Sequence, residues 1–483
     1  MKKFFQFFVF LTAMVWSLYA CTDDDSFSDS PSHFLTFSED SVRLDTVFSR
    51  VPTATKTFWA YNRSGDGIRC QSIRLEKGNQ TGYRVNVDGS YLGSSAGYQV
   101  SDIEIRNKDS IRVFVELTSP ANNKEVPTLL EDNLIFQLES GNIQKVNLSA
   151  YTWDADMREN VVIEQNTTWK QTKPIVIYGG ITIKEGATLT IGEGTTIYFH
   201  ENAGMEVYGR LVIQGTVDNN VVLRGDRIDH MFDYLPYDRV SGQWQGIHFY
   251  SSSYDNDIFY ADIHSTYNAI VCDSSDVTRL KLNLYNSVIH NCQGFGLKAY
   301  HSVIDVVNSQ ITNTLNDCVA FYGGVTRVLQ CTIAQFYPFD ANRGAALRFA
   351  NYQEDKIYPL YSFSCVNSIV TGYADDVIMG ECDTTAVYKY YFDHCLLRTP
   401  QIEDTVNVRD VIWENVEDTT AVTAAKNFVR IDIDSLIYDF RLDSISPAIG
   451  KAMPIEGLPH DRVGVLRDEE PDLGCYEYAR KEE

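Results

Sequence analysis

From Phe34 onward, apolar and polar residues alternate in short runs broken by Gly, Asn and Asp, a pattern that predicts strands joined by tight turns. In the second half the alternation acquires a column structure. Tyr260, Asn286, Asn308, Gln330, Asn367 and His394 each open a run. One residue later the chain has Ala261, Ser287, Ser309, Cys331, Ser368 and Cys395; three residues later it has Ile263, Ile289, Ile311, Ile333, Val370 and Leu397. The spacings of 26, 22, 22, 37 and 27 residues suit a solenoid with an inserted loop and are too irregular for a helical repeat. A right-handed parallel β-helix accounts for the columns. The polar residue caps a turn, and the small and aliphatic residues, two apart on one strand face, point inward and stack on their counterparts in adjacent coils.

Seven alternating runs lie between Phe34 and about Ala150, separated by turn residues such as Asp88 and Gly89. They are Phe34–Ser38, Ser41–Phe48, Thr57–Tyr61, Tyr83–Val87, Ser110–Leu117, Asn133–Leu138 and Lys145–Leu148. Seven strands in that length predict an immunoglobulin-like β-sandwich, without the Cys…Trp…Cys framework of antibody domains. The expected fold class is therefore all-β, a sandwich followed by a β-helix. Residues 33–152 are assigned to the sandwich, 153–445 to the β-helix and 446–483 to its C-terminal cap.

The Gly-punctuated blocks Ile181–Phe199 and Gly204–Thr216, followed by Gly242–Phe249, resemble the entry coils of the pectate-lyase-like superfamily, particularly surface lipoproteins of Bacteroidota. The segment from Ser446 through Asp461, Gly464, Arg467 and Asp472–Tyr478 resembles that superfamily's closing segment. A solenoid end exposes an unpaired strand, so Asp461 and Arg467 read as cap residues. At about 24 residues per coil, Asn160 to Asp443 would make about twelve coils, a rod roughly 55 to 60 Å long.

The N-terminus has the form of an export signal. Lys2 and Lys3 precede an apolar run from Phe4 to Trp16, and Leu18-Tyr19-Ala20-Cys21 resembles a bacterial lipobox, which makes residues 1–20 a signal peptide and Cys21 the lipidated residue. Asp23, Asp24 and Asp25 follow, similar to the acidic signal that sends Bacteroidota lipoproteins to the outer face of the outer membrane; the same run also reads as a solvated linker. Residues 21–32 form a tether. The resemblance implies a lipid-anchored protein of the outer membrane that faces the cell exterior. Beyond Cys21 no apolar stretch reaches the roughly 18 residues of a membrane span.

Charge narrows the ligand classes. The formal charge of −24 becomes about −26 once Lys2 and Lys3 leave, a field that repels nucleic acid and disfavours a polyuronate unless Ca²⁺ intervenes. Nine of the ten cysteines remain after Cys21, and they show no CxxC or Cys/His metal spacing. Cys331 and Cys395 share the small-residue column, with the Ser368 coil between them.

Candidate chemistry is sparse. A superfamily of this kind includes polysaccharide lyases, which need carboxylate-bound Ca²⁺, and glycoside hydrolases, which need paired carboxylates. Eight residues after the column openings stand Asn268, Gly294, Asn316 and Asp375, read as a turn column tolerant of left-handed backbone. Nine residues on, Asp317 and Asp376 share a column two coils and so about 10 Å apart. That slightly exceeds the roughly 6.5 to 9.5 Å of an inverting pair. Asn316–Ala320 resembles a motif of the polygalacturonase family, whose Gly-His-Gly and Arg-x-Lys motifs this chain lacks. His264 and His290 are expected to stack outward as a polar ladder, with no metal assigned. Arg224-Gly225-Asp226 spells an adhesion tripeptide at a strand end.

The insertion from Arg227 to Gln243 carries the strongest ligand expectation. It brings Phe232, Tyr234, Tyr237 and the following Trp244 near Asp229, Asp233 and Asp238, aromatic platforms beside acceptors on a projecting loop. The alternative is that the loop folds over the flank and buries those rings. A second insertion holds Tyr337, Phe339, Arg343 and the stretch from Tyr352 to Tyr361. The reading that follows is a surface-anchored rod that binds a polysaccharide or a surface protein without turning it over, or serves as a structural envelope component; the competing reading is a polysaccharide-degrading enzyme, a glycoside hydrolase or lyase, with Asp317 and Asp376 as its acid and base.

Overall fold

The structure is a computed structural model that describes residues 26–232, 234–418 and 420–479. The signal peptide, Cys21 and the acidic run lie outside the described residues, as does Asp233. The chain divides into two compact units, Met1–Asp154 and Ala155–Glu483. Among the described residues regular structure is all strand, apart from three short 3₁₀ turns.

The first unit packs two five-stranded sheets face to face. One runs Leu35–Phe37, Lys56–Asn62, Ser110–Leu117, Tyr83–Val87, Ser90–Tyr91 in spatial order; the other runs Ser41–Phe48, Ile143–Trp153, Thr128–Leu138, Ile68–Leu75, Gln99–Ile105. Pairing is antiparallel except where Ser41–Phe48 meets Ile143–Trp153 in parallel. Alternate residues of both sheets share one core, among them Phe58, Val85 and Val113 from one and Ile73, Phe136 and Leu148 from the other. Strict alternation in sequence thus becomes one buried and one wet face per sheet.

The second unit is a parallel β-helix. Its 26-stranded sheet contains only parallel neighbours in register, each coil laying its strands on the corresponding strands of the coil before. Three ladders result, which we call A, B and C. Ladder A includes Val221–Gly225, Ala261–His264, Val288–Cys292, Gln310–Thr314, Thr332–Gln335 and Ile369–Gly372. Ladder B includes Ile247–Phe249, Ile270–Cys272, the start of Leu297–Val307, the start of Val319–Leu329, Leu347–Ala350 and Ile378–Glu381. Ladder C includes Asn256–Phe259, Leu280–Tyr285, the ends of the two long strands and Leu360–Val366.

The six column-opening residues form the corner between ladders C and A. All six sit at positive φ, between 46° and 57°, so each turns the chain alone through a left-handed residue. Asp410, at φ 48°, continues the column. Asn tolerates this conformation better than most side chains, and its amide stacks: Asn308 Nδ2 donates to Asn286 Oδ1 at 2.6 Å, and Asn367 Nδ2 to Gln330 Oε1 at 2.7 Å. The small column is fully buried. Its serines close the gap that the corner opens in the backbone ladder. Ser287 Oγ accepts the Ala261 N–H and Ser309 Oγ the Ser287 N–H, both at 3.0 Å, and each hydroxyl donates to the carbonyl two residues before it. Ile263, Ile289, Ile311, Ile333, Val370 and Leu397 stack in register beneath them.

Two expectations change. The left-handed residues at the end of ladder A are Ser265, Asn291 and Asn313, five positions after the openings, whereas Asn268, Gly294, Asn316 and Asp375 are not at positive φ. Asn268 instead uses its Oδ1 to accept the Phe295 N–H of the next coil at 2.9 Å. The coils also end at Ile412–Trp413, and the chain then forms the hairpin Phe428–Asp432 with Ile437–Leu442. The rod is therefore shorter than an extrapolation to Asp443 gives.

The segment from Ser446 onward covers the flank of the corner column. Asn367 Nδ2 reaches the Met453 carbonyl, Gln330 Nε2 that of Asp472, and Asn308 Nδ2 that of His460. Arg467 ties Asn308 Oδ1 at 2.8 Å to Glu477 at 3.0 Å, and buried Asp461 accepts backbone N–H groups from Val463, Val465 and Glu477. Among the described residues every cysteine is a free thiol. Cys331 and Cys395 occupy the buried small column, and the Cys331 N–H bonds Ser368 Oγ in the intervening coil.

Candidate functional site

The insertion after Gly225 leaves ladder A, forms the hairpin His230–Phe232 with Leu235–Pro236, makes a 3₁₀ turn at Tyr237–Arg239, and rejoins the coil at Trp244. It returns through Gly246, whose φ of +83° and close approach to the Asn268 carbonyl leave no room for a Cβ. The four aromatic residues expected at a ligand face separate into three environments. Trp244 is fully buried. It stacks on Phe199 at 4.2 Å and 6°, and its Nε1–H donates to the His264 carbonyl. Trp244 is thus a core residue and is corrected out of the ligand set: it has already re-entered the coil, where inward positions meet only core. Tyr237 is half-buried beneath the Arg227 guanidinium, 3.7 Å from its ring centroid. Phe232 and Tyr234 remain outside, 55% and 70% exposed, stacked at 5.7 Å and 12°.

An ion-pair cluster pins this loop to the rod. Asp238 Oδ1 meets Arg224 Nη1 at 2.5 Å and His264 Nε2 at 3.0 Å, while His264 Nδ1 and His290 Nε2 meet Asp262 Oδ1 at 2.8 and 3.2 Å. The two imidazoles stack at 4.7 Å, as the column spacing predicts. Asp262, His264 and His290 bring ligand-type atoms within 4.8 Å of one another. Both His264 nitrogens, however, face carboxylate oxygens, and a ring that donates from both nitrogens has no lone pair for a cation. Burial opposes its charge, but Asp262 and Asp238 outweigh burial and raise its pKa to about 9. Burial likewise works against ionising Asp238, and the His264 hydrogen bond and charge overcome it and hold the carboxyl low. The cluster is a latch. It also consumes the adhesion tripeptide, because Arg224 is committed to Asp238 and Asp226 to His200.

Between the loop, ladder A and the C-terminal hairpin lies a cleft of about 320 Å³. Its floor is the outward face of two adjacent rungs, with Val288 beside Gln310 and His290 beside Thr312. Asp238 and Arg239 form one wall; Tyr438, Phe440 and Tyr476 form the other. The second wall exists because Phe428, Phe440 and Leu442 cover Ala334, Phe336, Ile369 and Leu396 on later rungs, so the cleft opens where this apolar cover stops. Arg239 Nη1 donates to the Ser435 carbonyl at 2.7 Å and joins the two walls. The insertions also touch each other through Ser241 Oγ and Tyr337 OH, 2.8 Å apart.

Asp317 and Asp376 belong to a different face, at the entry to ladder B. Asp317 is 4% exposed and accepts the Ala345 N–H at 2.7 Å and Arg348 Nε at 2.6 Å. Arg348 continues to Glu381 at 2.7 Å in the following coil. Burial lowers the pKa of Arg348, but Asp317 and then Glu381 raise it further. The coil that carries Arg348 separates the two aspartates in register. Asp376 is exposed and accepts its local Ile378 N–H. The geometry gives Asp317 a structural tie, with Arg348 bridging it to Glu381, and leaves Asp376 outside that tie.

No protein-family model and no curated protein matches the sequence. Among solved structures, the chain resembles the catalytic unit of a GH87 α-1,3-glucanase from Streptomyces thermodiastaticus at 11% identity, over 74% of this chain and 75% of that one, with a TM-score of 0.26. It also resembles a protein of unknown function from Porphyromonas gingivalis at 11% identity, over 28% of this chain and 58% of that one, and a family 123 glycoside hydrolase from Clostridium perfringens at 8%, over 29% and 31%, each with a TM-score of 0.19. Likenesses this distant carry no argument about chemistry, so the site rests on its own geometry.

That geometry includes residues the sequence did not single out. Gln310, Asn313, Tyr438 and Tyr476 meet at the cleft although they lie up to 166 residues apart. The signal that was present is the second left-handed column, Ser265, Asn291 and Asn313, which marks where the turn leaves ladder A.

Proposed function

We propose that the chain is a cell-surface-anchored lipoprotein whose β-helix binds a glycan without cleaving it. The observation that carries the reading is the stacked, exposed Phe232–Tyr234 pair on a loop latched to a rigid solenoid. Two parallel aromatic faces held out in water suit the apolar C–H faces of sugar rings. They also offer no attraction to an anionic sugar, in keeping with an acidic chain. The lipobox at Cys21 and the acidic run supply the anchor and the outward address. The N-terminal sandwich, immunoglobulin-like in kind, takes the place of a spacer between anchor and solenoid along the chain.

The reading is tested with full-length protein in detergent micelles, incubated with plant, host and microbial polysaccharides with and without Ca²⁺. Affinity electrophoresis is read beside reducing-end and unsaturated-product assays. Retardation without product is expected. Product formation lost in Asp317→Asn or Asp376→Asn, with folding retained, would replace binding with hydrolysis. Protease added to intact cells is expected to cleave the protein, and full protection would put it on the periplasmic leaflet.

A further inference from the structure

The charged side chains around the cleft already have hydrogen-bond partners. Asp238 is held by Arg224 and His264, His290 is held by Asp262, and Arg239 is held by the Ser435 carbonyl. Gln310 is satisfied as well, accepting from Tyr476 OH at 2.8 Å and donating to Thr312 at 3.0 Å. The buried, unpaired polar atoms of the lining belong to neutral groups. Asn313 is 1% exposed, and its Oδ1 has no hydrogen-bond partner in the protein; the buried Tyr438 hydroxyl has none either. Both residues line the cleft, Asn313 from ladder A and Tyr438 from the hairpin wall. A buried polar atom left unpaired is costly, so a cleft that keeps two such atoms is arranged for something that satisfies them. The tyrosine wall adds flat apolar surface, with Tyr438 stacked on Phe440 at 6.1 Å and 8°.

We infer that this cleft is a binding site for one ring of a neutral, hydroxyl-rich sugar, with Asn313 Oδ1 accepting from one hydroxyl and Tyr438 OH bonding another. Size supports a single short unit. The cleft sits at the low end of the roughly 300 to 1,000 Å³ typical of small-molecule sites. Charge supports neutrality: Asp238 and Arg239 line the cleft side by side and offset each other, and the acidic chain as a whole disfavours a uronate. This deepens the glycan-binding reading and rests on it only in that the ring belongs to a longer chain gripped elsewhere by Phe232 and Tyr234.

The test uses the full-length protein with methyl glycosides of glucose, galactose and mannose and with N-acetylglucosamine, beside glucuronate and glucosamine as charged controls. Binding is followed by saturation-transfer NMR and calorimetry up to about 50 mM, above the millimolar range expected of a single ring. Tyr438→Phe removes only the hydroxyl. Asn313→Gly removes the acceptor while keeping the backbone conformation of φ 57°. At least one neutral ring is expected to bind saturably, each variant weakening it by about 3- to 10-fold, the worth of one neutral hydrogen bond. Unchanged melting temperatures would establish that folding is intact. No binding by any neutral ring, preference for a charged one, or affinity unmoved by both variants would overturn the assignment. If polysaccharide retardation persisted in that case, glycan binding would survive and only the cleft would fall; single-ring binding without polysaccharide retardation would instead remove the longer chain.

Discussion

The corner between ladders C and A and the loop from Arg227 to Gln243 are both turns off the same solenoid, yet they are built by opposite means. At the corner one left-handed residue per coil does the turning, and neighbouring coils supply partners of the same kind: a side-chain amide, a small buried residue, an aliphatic chain. The loop uses each residue once. Its base depends on one Asp238 shared by Arg224 and His264, and its tip ends in an aromatic pair supported mainly by itself. Repetition gives the corner stability. Singularity leaves the loop free to carry a ligand surface, as projecting loops on rigid scaffolds commonly do.

Breaking the corner should have the largest effect. Ile311→Ala leaves a cavity between two stacked neighbours, Ile289 and Ile333, and is expected to cost about 2 to 5 kcal/mol in urea unfolding of the β-helix. Ser287→Ala strips the Ala261 N–H of its acceptor in a fully buried setting and should cost about 1 to 3 kcal/mol. Asn308→Ala should fall in the same range, because it forces alanine into a left-handed turn and severs Asn286 and Arg467; Asn308→Gly should recover the conformational share.

The latch comes next, with a local effect. His264 carries a folded pKa of about 9 against an ordinary 6.5, so its contribution is fully present below about pH 6.5 and is lost as pH rises through about 9. Asp238 has a depressed pKa, so its share is present above the ordinary carboxylate value near 3.8 and fails only in strong acid. Limited proteolysis within Arg227–Gln243 should therefore accelerate above pH 9, and in Asp238→Asn at neutral pH. Global stability should change by about 1 kcal/mol or less, since the Asp238 carboxylate is half in water. Proteolysis that is flat with pH would mean the hairpin holds itself. The smallest stability effect belongs to Phe232→Ala with Tyr234→Ala, within about 0.5 kcal/mol of wild type.

The same contrast explains what the sequence disclosed. The corner was legible because six coils repeat a polar, small, variable, aliphatic order, and each member proves to serve one physical role. The loop was legible only as aromatic content. Nothing local distinguishes Trp244, which stacks on Phe199 in the core, from Tyr234, which projects into water, because that depends on where the chain re-enters the coil. Asp317 shows the limit from the other side. Its neighbourhood resembles a hydrolase motif, but its partner, Arg348, stands 31 residues away in the next coil and follows no spacing rule. The cleft joins ladder A to the hairpin at Ile437–Leu442, a contact between singular residues that leaves no period to read.

The most direct test of the account is retardation of full-length protein in gels containing a polysaccharide that wild type binds, with Phe232→Ala/Tyr234→Ala run beside Asn308→Gly. The account predicts that the loop variant loses retardation at unchanged stability, while the corner variant keeps it at reduced stability. Retardation surviving loss of both aromatic rings would contradict the assignment of the ligand surface to the loop.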